Sequence, residues 1–392
     1  MNKSTGNSTS LEKCAVETIL QHAGAQHRVG DGLVGALEQS VTFSTSSVDD
    51  LPVYSRLSNT SNHKEICALV AALHRTSSAQ VFASGMAAIH AVLTSILRPG
   101  DHLLMQENCY GTAQGLAQKI LGRWGIETTL APLSEWHKAL KTNTRALFFE
   151  SISKPFCMPQ DFALALEAKA RSGAMLICDN TFASPANCTP ALEGVDVVVE
   201  SGTKYMNGHS DLVCGVVACS DEFSEQLATT AMYVGGFLSP AGCMQLLRGL
   251  RTLQVRMRAH NENGVEFARQ VRELDGVAEV FHGSLLNPKG NDVFRGYSGM
   301  VGVRFDPSVD VPALMRQLKL VSDVPSLGGT ETTACMPWWT TNRWMSDAEK
   351  SRLKIDEKLV RFSIGLESVN DLISDLRAAI ACQKLNRAGV KP

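Results

Sequence analysis

The 392-residue sequence has almost no charge bias: 37 basic side chains against 39 acidic ones leave a formal charge of −2. That balance removes the bulk electrostatic attraction that draws a chain to nucleic acid or to an anionic membrane. Long apolar runs are missing too. No window approaches the roughly 18 consecutive apolar residues of a membrane span. No continuous apolar stretch follows the polar start Met1–Ser10, as a signal peptide would require, so a flexible terminus is expected there. The 11 cysteines are scattered, odd in number and without a C-x-x-C pair. This argues against a disulfide framework and a zinc cluster, and it fits a reducing, cytoplasmic setting. P-loop, H-E-x-x-H and G-x-S-x-G patterns are absent, which removes the usual signatures of nucleotide hydrolysis, zincin chemistry and the serine nucleophile elbow. No metal site is expected, and no internal repeat is visible.

What is present is ordinary globular material, 44% hydrophobic and 19% charged, in a length that suits roughly two or three domains. The middle of the chain alternates short apolar runs with amphipathic stretches. Strands are expected at 80–83, 103–106, 146–150, 174–178, 195–199 and 214–219, with helices at 86–97, 111–121 and 161–171. Such alternation predicts a mostly parallel sheet covered on both faces, an α/β fold. Beyond Pro240 the pattern changes to one or two long helices over 242–274. Strand-like pieces at 277–282, 299–305 and 359–364 follow, a helix at 311–318, a loop over 322–342 and a final helix at 369–384. A smaller α+β unit is expected there. Residues 1–61 are rich in turn formers and read as an arm, 62–245 as the large domain and 246–392 as the small one.

In open parallel sheets, ligands bind beyond the carboxyl ends of the strands. Asp179 directly follows the apolar run Ala174–Cys178; it is either a ligand-facing carboxylate or a turn cap. Ser201-Gly202-Thr203-Lys204 follows another apolar run and offers two hydroxyls and an amine. Ser84-Gly85-Met86 enters a helix straight from a strand, where free amides and the macrodipole make an anion site, unless Ser84 is merely an N-cap. His209 is expected to be a structural hydrogen-bonding residue. A phosphate cradle, a strand-end carboxylate and a later lysine together suggest pyridoxal phosphate, which needs a Schiff-base lysine and an acidic partner for its ring nitrogen.

These residues, with Tyr54-Ser55-Arg56, Tyr110-Gly111, Asp179-Asn180-Thr181-Phe182, Gly208-His209-Ser210-Asp211, Leu247-Arg248-Gly249-Leu250, Ser326-Leu327-Gly328-Gly329 and Arg361-Phe362-Ser363-Ile364-Gly365, occur in order along most of the chain. In this the sequence resembles the Cys/Met-metabolism family of pyridoxal-phosphate enzymes, the trans-sulfuration enzymes that include cystathionine γ-synthase, cystathionine γ-lyase and methionine γ-lyase. The resemblance implies fold type I, with a mostly parallel seven-stranded sheet in the large domain. It implies that Lys204 holds the cofactor and then shuttles protons, that Asp179 pairs with the ring nitrogen and that Tyr110 stacks on the ring. Ser84, Gly85, Met86, Thr181, Ser201 and Thr203 would complete the cofactor site. Arg361 and Ser326 would hold the substrate carboxylate end. Tyr54 and Arg56 would reach the phosphate of a neighbouring subunit, making the active unit a homo-oligomer, a dimer of dimers. The implied reaction is γ-elimination or γ-replacement on an amino acid with a γ heteroatom: a carbon–sulfur lyase giving 2-oxobutanoate and ammonia, or alternatively a synthase, a sulfhydrylase, a γ-oxy amino acid lyase or a β-lyase giving pyruvate.

Three departures bear on substrate. Lys154 stands where the family motif ends in Asn-Pro; it either serves a carboxylate or swings out to solvent. Pro325 replaces an acidic residue that reads a distal amino group. Thr112 and Gly115 follow Tyr110 where family members carry a cysteine or an arginine. Trp338 and Trp339 either belong to the core or narrow the entrance.

Overall fold

Apolar strands that alternate with helices assemble here as the sequence predicts. A computed structural model describes residues 11, 14–24, 32–44, 51–286 and 293–387, with the expected flexible start Met1–Ser10 outside them. Nine strands come first: β1 (Ser78–Phe82), β2 (His102–Gln106), β3 (Glu127–Ala131), β4 (Thr144–Glu150), β5 (Ile152–Ser153), β6 (Met158–Pro159), β7 (Met175–Asp179), β8 (Val197–Glu200) and β9 (Gly215–Cys219). Seven of them form one sheet in the order β1-β9-β8-β7-β4-β2-β3, and β5–β6 is a separate short hairpin. The pairs β2–β3, β2–β4, β4–β7 and β7–β8 are parallel, while β9 runs antiparallel to both neighbours.

Side-chain alternation splits the core in two. Leu147, Phe149, Leu176, Cys178 and Val198 point to one face, which is covered by helices Ser61–His74 and Phe162–Ser172. Phe148, Ile177, Val197 and Val199 point to the other, under helices Gly85–Ile96 and Asp221–Val234. Burial on both faces is why these strands read as continuous apolar runs. The register pairs Glu150 with Asp179 and Asp179 with Val199, so β4 and β7 end level and β8 extends one residue further, to Glu200.

The chain then forms helices Pro240–Arg251 and Leu253–Val271. A second sheet follows, ordered β10-β11-β14-β13-β12. Its strands are β10 (Val277–Phe281), β11 (Met300–Phe305), β12 (Ser322–Asp323), β13 (Thr333–Cys335) and β14 (Leu359–Ser363). Helix Val369–Arg387 closes the described chain. No described helix is long and apolar enough to cross a membrane.

Several local expectations change. The helix expected at 111–121 is α-helical only over Gly111–Gly115, then widens to a π turn over Leu116–Ile120 and tightens to 3-10 over Leu121–Trp124; Gly115 and Gly122 weaken a regular helix there. Strand β3 lies at the sheet edge and is only partly buried, so it carried no apolar run to find. The expected loop at 322–342 contains β12 and β13. Near the start, helix Val16–His22 buries Ile19 and Leu20 in the main core, so this part of the arm is packed against the large sheet's helices.

Candidate active site

The carboxyl ends of the central strands open into a cavity of about 530 Å³. Strand β1 passes through Ser84, extended at φ −162° and ψ 160°, into helix Gly85–Ile96. The Ser84 hydroxyl accepts the Ala87 amide at 3.0 Å, an N-cap. The amides of Gly85 and Met86 precede the first helical bond, Ala88 N–H to Ser84 O at 3.1 Å, and both residues line the cavity. This is the orphan-donor end of the helix, with the positive end of its dipole. Gly85 permits the approach: a Cβ there would lie 2.9 Å from the Ser201 Cβ.

Across from it, Asp179 ends β7. One of its oxygens, Oδ1, accepts the Thr181 amide at 2.9 Å. Thr181 in turn accepts the Ser201 amide on its hydroxyl at 2.9 Å, tying the ends of β7 and β8 together. Thr203 donates its hydroxyl to the Cys214 carbonyl at 3.1 Å and accepts the Cys214 amide at 3.0 Å, so its proton already has a protein partner. Lys204 points its amine to Ser326 Oγ at 3.0 Å. Burial, then Arg361, then Lys154 lower the Lys204 amine to about 8, so a useful fraction is the free base near neutrality. The loop carrying Ser326 can press on Lys204 because Gly328, at φ +75°, has no Cβ; one would meet the Tyr205 nitrogen at 2.7 Å.

The second sheet supplies Arg361 from the middle of β14, opposite Gly302 and Cys335. It is 3% exposed, its Nη2 donates to Ser326 O at 3.5 Å, and its Nε is buried without a hydrogen-bond partner. A buried guanidinium donor left open in this way suits a carboxylate.

Lys154 does not swing out. It is 9% exposed, with Nζ 2.5 Å from Glu150 Oε1 and 3.7 Å from Asp179 Oδ2. The Glu150 carboxylate also accepts the Tyr110 amide at 2.8 Å. Phe182 and Tyr110 present their rings to the same ammonium, at 4.6 and 5.5 Å. Burial lifts the Glu150 carboxyl to about 7 against the pull of Lys154. Burial works against the Lys154 cation as well, but Glu150 and Asp179 outweigh it and hold its pKa above the ordinary value.

Thus Ser84, Gly85, Met86, Tyr110, Lys154, Asp179, Thr181, Ser201, Thr203, Lys204 and Arg361 line one cavity, and Ser326 touches it through Lys204. Tyr54 and Arg56 do not reach it within one chain. They stack on each other at 5.3 Å, and Arg56 donates to the Met232 carbonyl at 2.7 Å. His209 donates from Nδ1 to Asn207 O, 2.7 Å away, outside the lining. The mouth is built by Thr112, Val213, Pro325, Trp339, Arg343 and Trp344. Trp339 is 57% exposed at that rim, while Trp338 packs under Lys350 instead. Sequence reasoning gave no role to Glu150, Phe182, Arg343 or Trp344. Glu150 had a signal, an acid at a strand end four residues before a lysine; the rim residues had none.

The lining matches the parts of pyridoxal phosphate. Open amides at a helix start fit a phosphate, the strand-end carboxylate fits a ring nitrogen, an aromatic ring lies beside them, and a partly neutral amine fits an aldehyde. The arrangement therefore fits that cofactor on geometry alone.

Known proteins are similar over nearly the whole chain. The family model for Cys/Met metabolism PLP-dependent enzymes matches residues 17–381. Cystathionine gamma-lyase of Bacillus subtilis is 33% identical over 335 residues, 83% of this chain and 88% of that protein. O-succinylhomoserine sulfhydrylase of Pseudomonas aeruginosa is 32% identical over 392 residues, 95% of this chain and 97% of that protein. Among solved structures, cystathionine gamma-lyase from Lactobacillus plantarum complexed with L-serine superposes with a TM-score of 0.90 at 26% identity, covering 95% of this chain and 100% of that one.

Proposed function

The chain belongs to the Cys/Met metabolism PLP-dependent enzymes, and on that premise we propose that it cleaves the bond between the γ-carbon of an L-amino acid and a sulfur substituent. A thiol leaves, water is consumed, and 2-oxobutanoate and ammonia are released. The enzyme has fold type I and takes pyridoxal phosphate. When bound, the cofactor supplies an electron sink for the negative charge that develops at the substrate α-carbon.

The chain's own residues do the rest. Arg361, with its open Nε, binds the substrate carboxylate and fixes the α-hydrogen toward the amine. Lys204 Nζ removes that proton, and its lowered basicity near 8 lets it exist as a base close to neutral pH. The same nitrogen then carries a proton from the β-carbon, and Tyr110 protonates the departing γ-substituent. Ser326 Oγ steers the amine, and the loop around Gly328 holds Ser326 in place. The observation that carries the reading is the convergence of Lys204, Asp179 and Arg361 on one cavity.

One feature favours γ-replacement with an added thiol as the second reading. Asp179 is the only carboxylate in the described lining, so the distal ammonium of cystathionine has no second acid to meet. We further propose that residues 1–61 form an arm whose Tyr54 and Arg56 complete the site of a second copy in a cytoplasmic homo-oligomer, a dimer of dimers, with 62–245 as cofactor domain and 246–392 as small domain. Exposed Leu33, Val34 and Val41 on that arm support a covered surface. The experiment is a keto-acid screen on cystathionine, methionine, homocysteine and O-acylhomoserines, with and without added thiol. Release of 2-oxobutanoate alone supports elimination. A thioether formed only with thiol supports replacement, and pyruvate as sole product overturns both.

A further inference from the structure

Asp179 has two oxygens, and only one faces an uncontested partner. Oδ1 is taken by the Thr181 amide, and Oδ2 lies 3.7 Å from the Lys154 ammonium. A ring nitrogen bound at Asp179 must share Oδ2 with that cation. We propose that Lys154, anchored by Glu150, is a charge-setting residue: it competes with the bound cofactor ring for Asp179 and so weakens the hold of Asp179 on the ring-nitrogen proton. The inference rests on pyridoxal phosphate occupying this cavity.

The anchoring is what distinguishes this role from substrate binding. Lys154 Nζ is already 2.5 Å from Glu150 Oε1, and its backbone amide donates to Asn108 O at 3.1 Å, so both ends of the residue are held. Arg361, by contrast, keeps an open donor for a carboxylate. The rings of Phe182 and Tyr110 lie beside the ammonium, and its burial strengthens its field at Asp179. The charged and titratable groups around it are Glu150 from β4, Asp179 from β7, Cys109 and Tyr110 after β2, Cys157 on the β5–β6 hairpin, Lys204 after β8 and Arg361 from β14. Lys154 also bears on Lys204, adding to the repulsion from Arg361.

The test is a pH titration of the ring-nitrogen NMR signal of nitrogen-15-labelled cofactor, with the visible spectrum recorded alongside, in the reconstituted full chain, for wild type, Lys154→Met, Lys154→Asn and Glu150→Gln. Removing the cation should raise the midpoint in both Lys154 variants by about one pH unit or more. Glu150→Gln leaves that cation less compensated and should lower the midpoint. Opposite signs are not what simple loss of packing produces, and Lys154→Asn keeps a polar side chain at the site should Lys154→Met fold poorly. Cofactor affinity, read from quenching of tryptophan fluorescence, should rise in the Lys154 variants. Midpoints unchanged within about 0.3 unit, with only the substrate KM raised, would overturn the proposal and make Lys154 a carboxylate clamp. A wild-type protein with no visible band would overturn the cofactor site itself, and the proposal with it.

Discussion

Glu150 and Glu200 both end strands of the large sheet, on either side of Asp179, and both are fully buried. Their surroundings differ because the register turns them to opposite faces. Glu150 shares the face of Asp179, meets Lys154 and accepts the Tyr110 amide. Glu200 points under helix Ser61–His74, where it accepts from Asn180 Nδ2 at 2.8 Å and lies 3.4 Å from His74. Burial holds His74 down to about 3 and pushes Glu200 well above the carboxylate range, so burial drives both groups toward their neutral forms. Neither imidazole nitrogen of His74 has a hydrogen-bond partner among the described residues. The same position in a strand therefore meets a cation on the cavity side and an imidazole held neutral behind. The sheet separates the groups that act from the groups that only fill.

The strongest challenge to that division is to exchange activity across it. Lys204→Ala in the cavity should lower keto-acid release by about a thousandfold or more, since it removes the proton carrier. His74→Gln behind the sheet should leave turnover within about threefold, with folding checked by circular dichroism. A comparable loss from His74→Gln would show that the far side takes part in the chemistry.

A smaller effect distinguishes the two acids by stability. Glu150→Gln removes the closest partner of a buried ammonium, leaving Asp179 at 3.7 Å as partial compensation. A cost of about 2–4 kcal/mol is expected in denaturant unfolding of the cofactor-free protein at about pH 8, above the value of about 7 to which burial lifts Glu150. Glu200→Gln replaces one neutral hydrogen-bonding group by another and should change stability by about 1 kcal/mol or less near pH 5. Equal costs would mean that Glu200 is charged after all.

How much of this was legible in the sequence follows from where each signal resides. Asp179 and Lys204 each follow a buried apolar run, and the strand-end rule for open sheets makes such positions suspect on chain pattern alone. The Ser84–Met86 cradle carried its own strand-to-helix transition. Lys154 was visible as a departure, but its direction was not: it depends on β4 ending level with β7 and on the β5–β6 hairpin turning back over Glu150. The Glu200–His74 contact joins a strand end to a helix far upstream, which no local pattern encodes. Arg343 and Trp344 stack at 4.1 Å on an irregular loop, where periodicity offers nothing to read.

The finest test uses pH to ask whether Glu200 is held uncharged. In the folded chain its pKa lies well above 4.5, the value taken for the unfolded chain. Between those values the folded state binds the extra proton, so the stability this group contributes is fully present at low pH and is lost as pH rises toward the folded pKa. Glutamine has no such proton. The stability of Glu200→Gln relative to wild type should therefore improve as pH rises from about 5 to 8, by up to about 1.4 kcal/mol per pH unit. His74 works in the other direction, because its depressed pKa makes stability fall as pH drops from 6.5 toward about 3. Burial lifts Glu150 to about 7 against the pull of Lys154, so it titrates in the same range. His74 and Glu150 are present in both proteins, so the difference between the two unfolding curves isolates Glu200. Parallel curves would mean that Glu200 is ionised in the fold, and that the face behind the cavity carries charge as the front does.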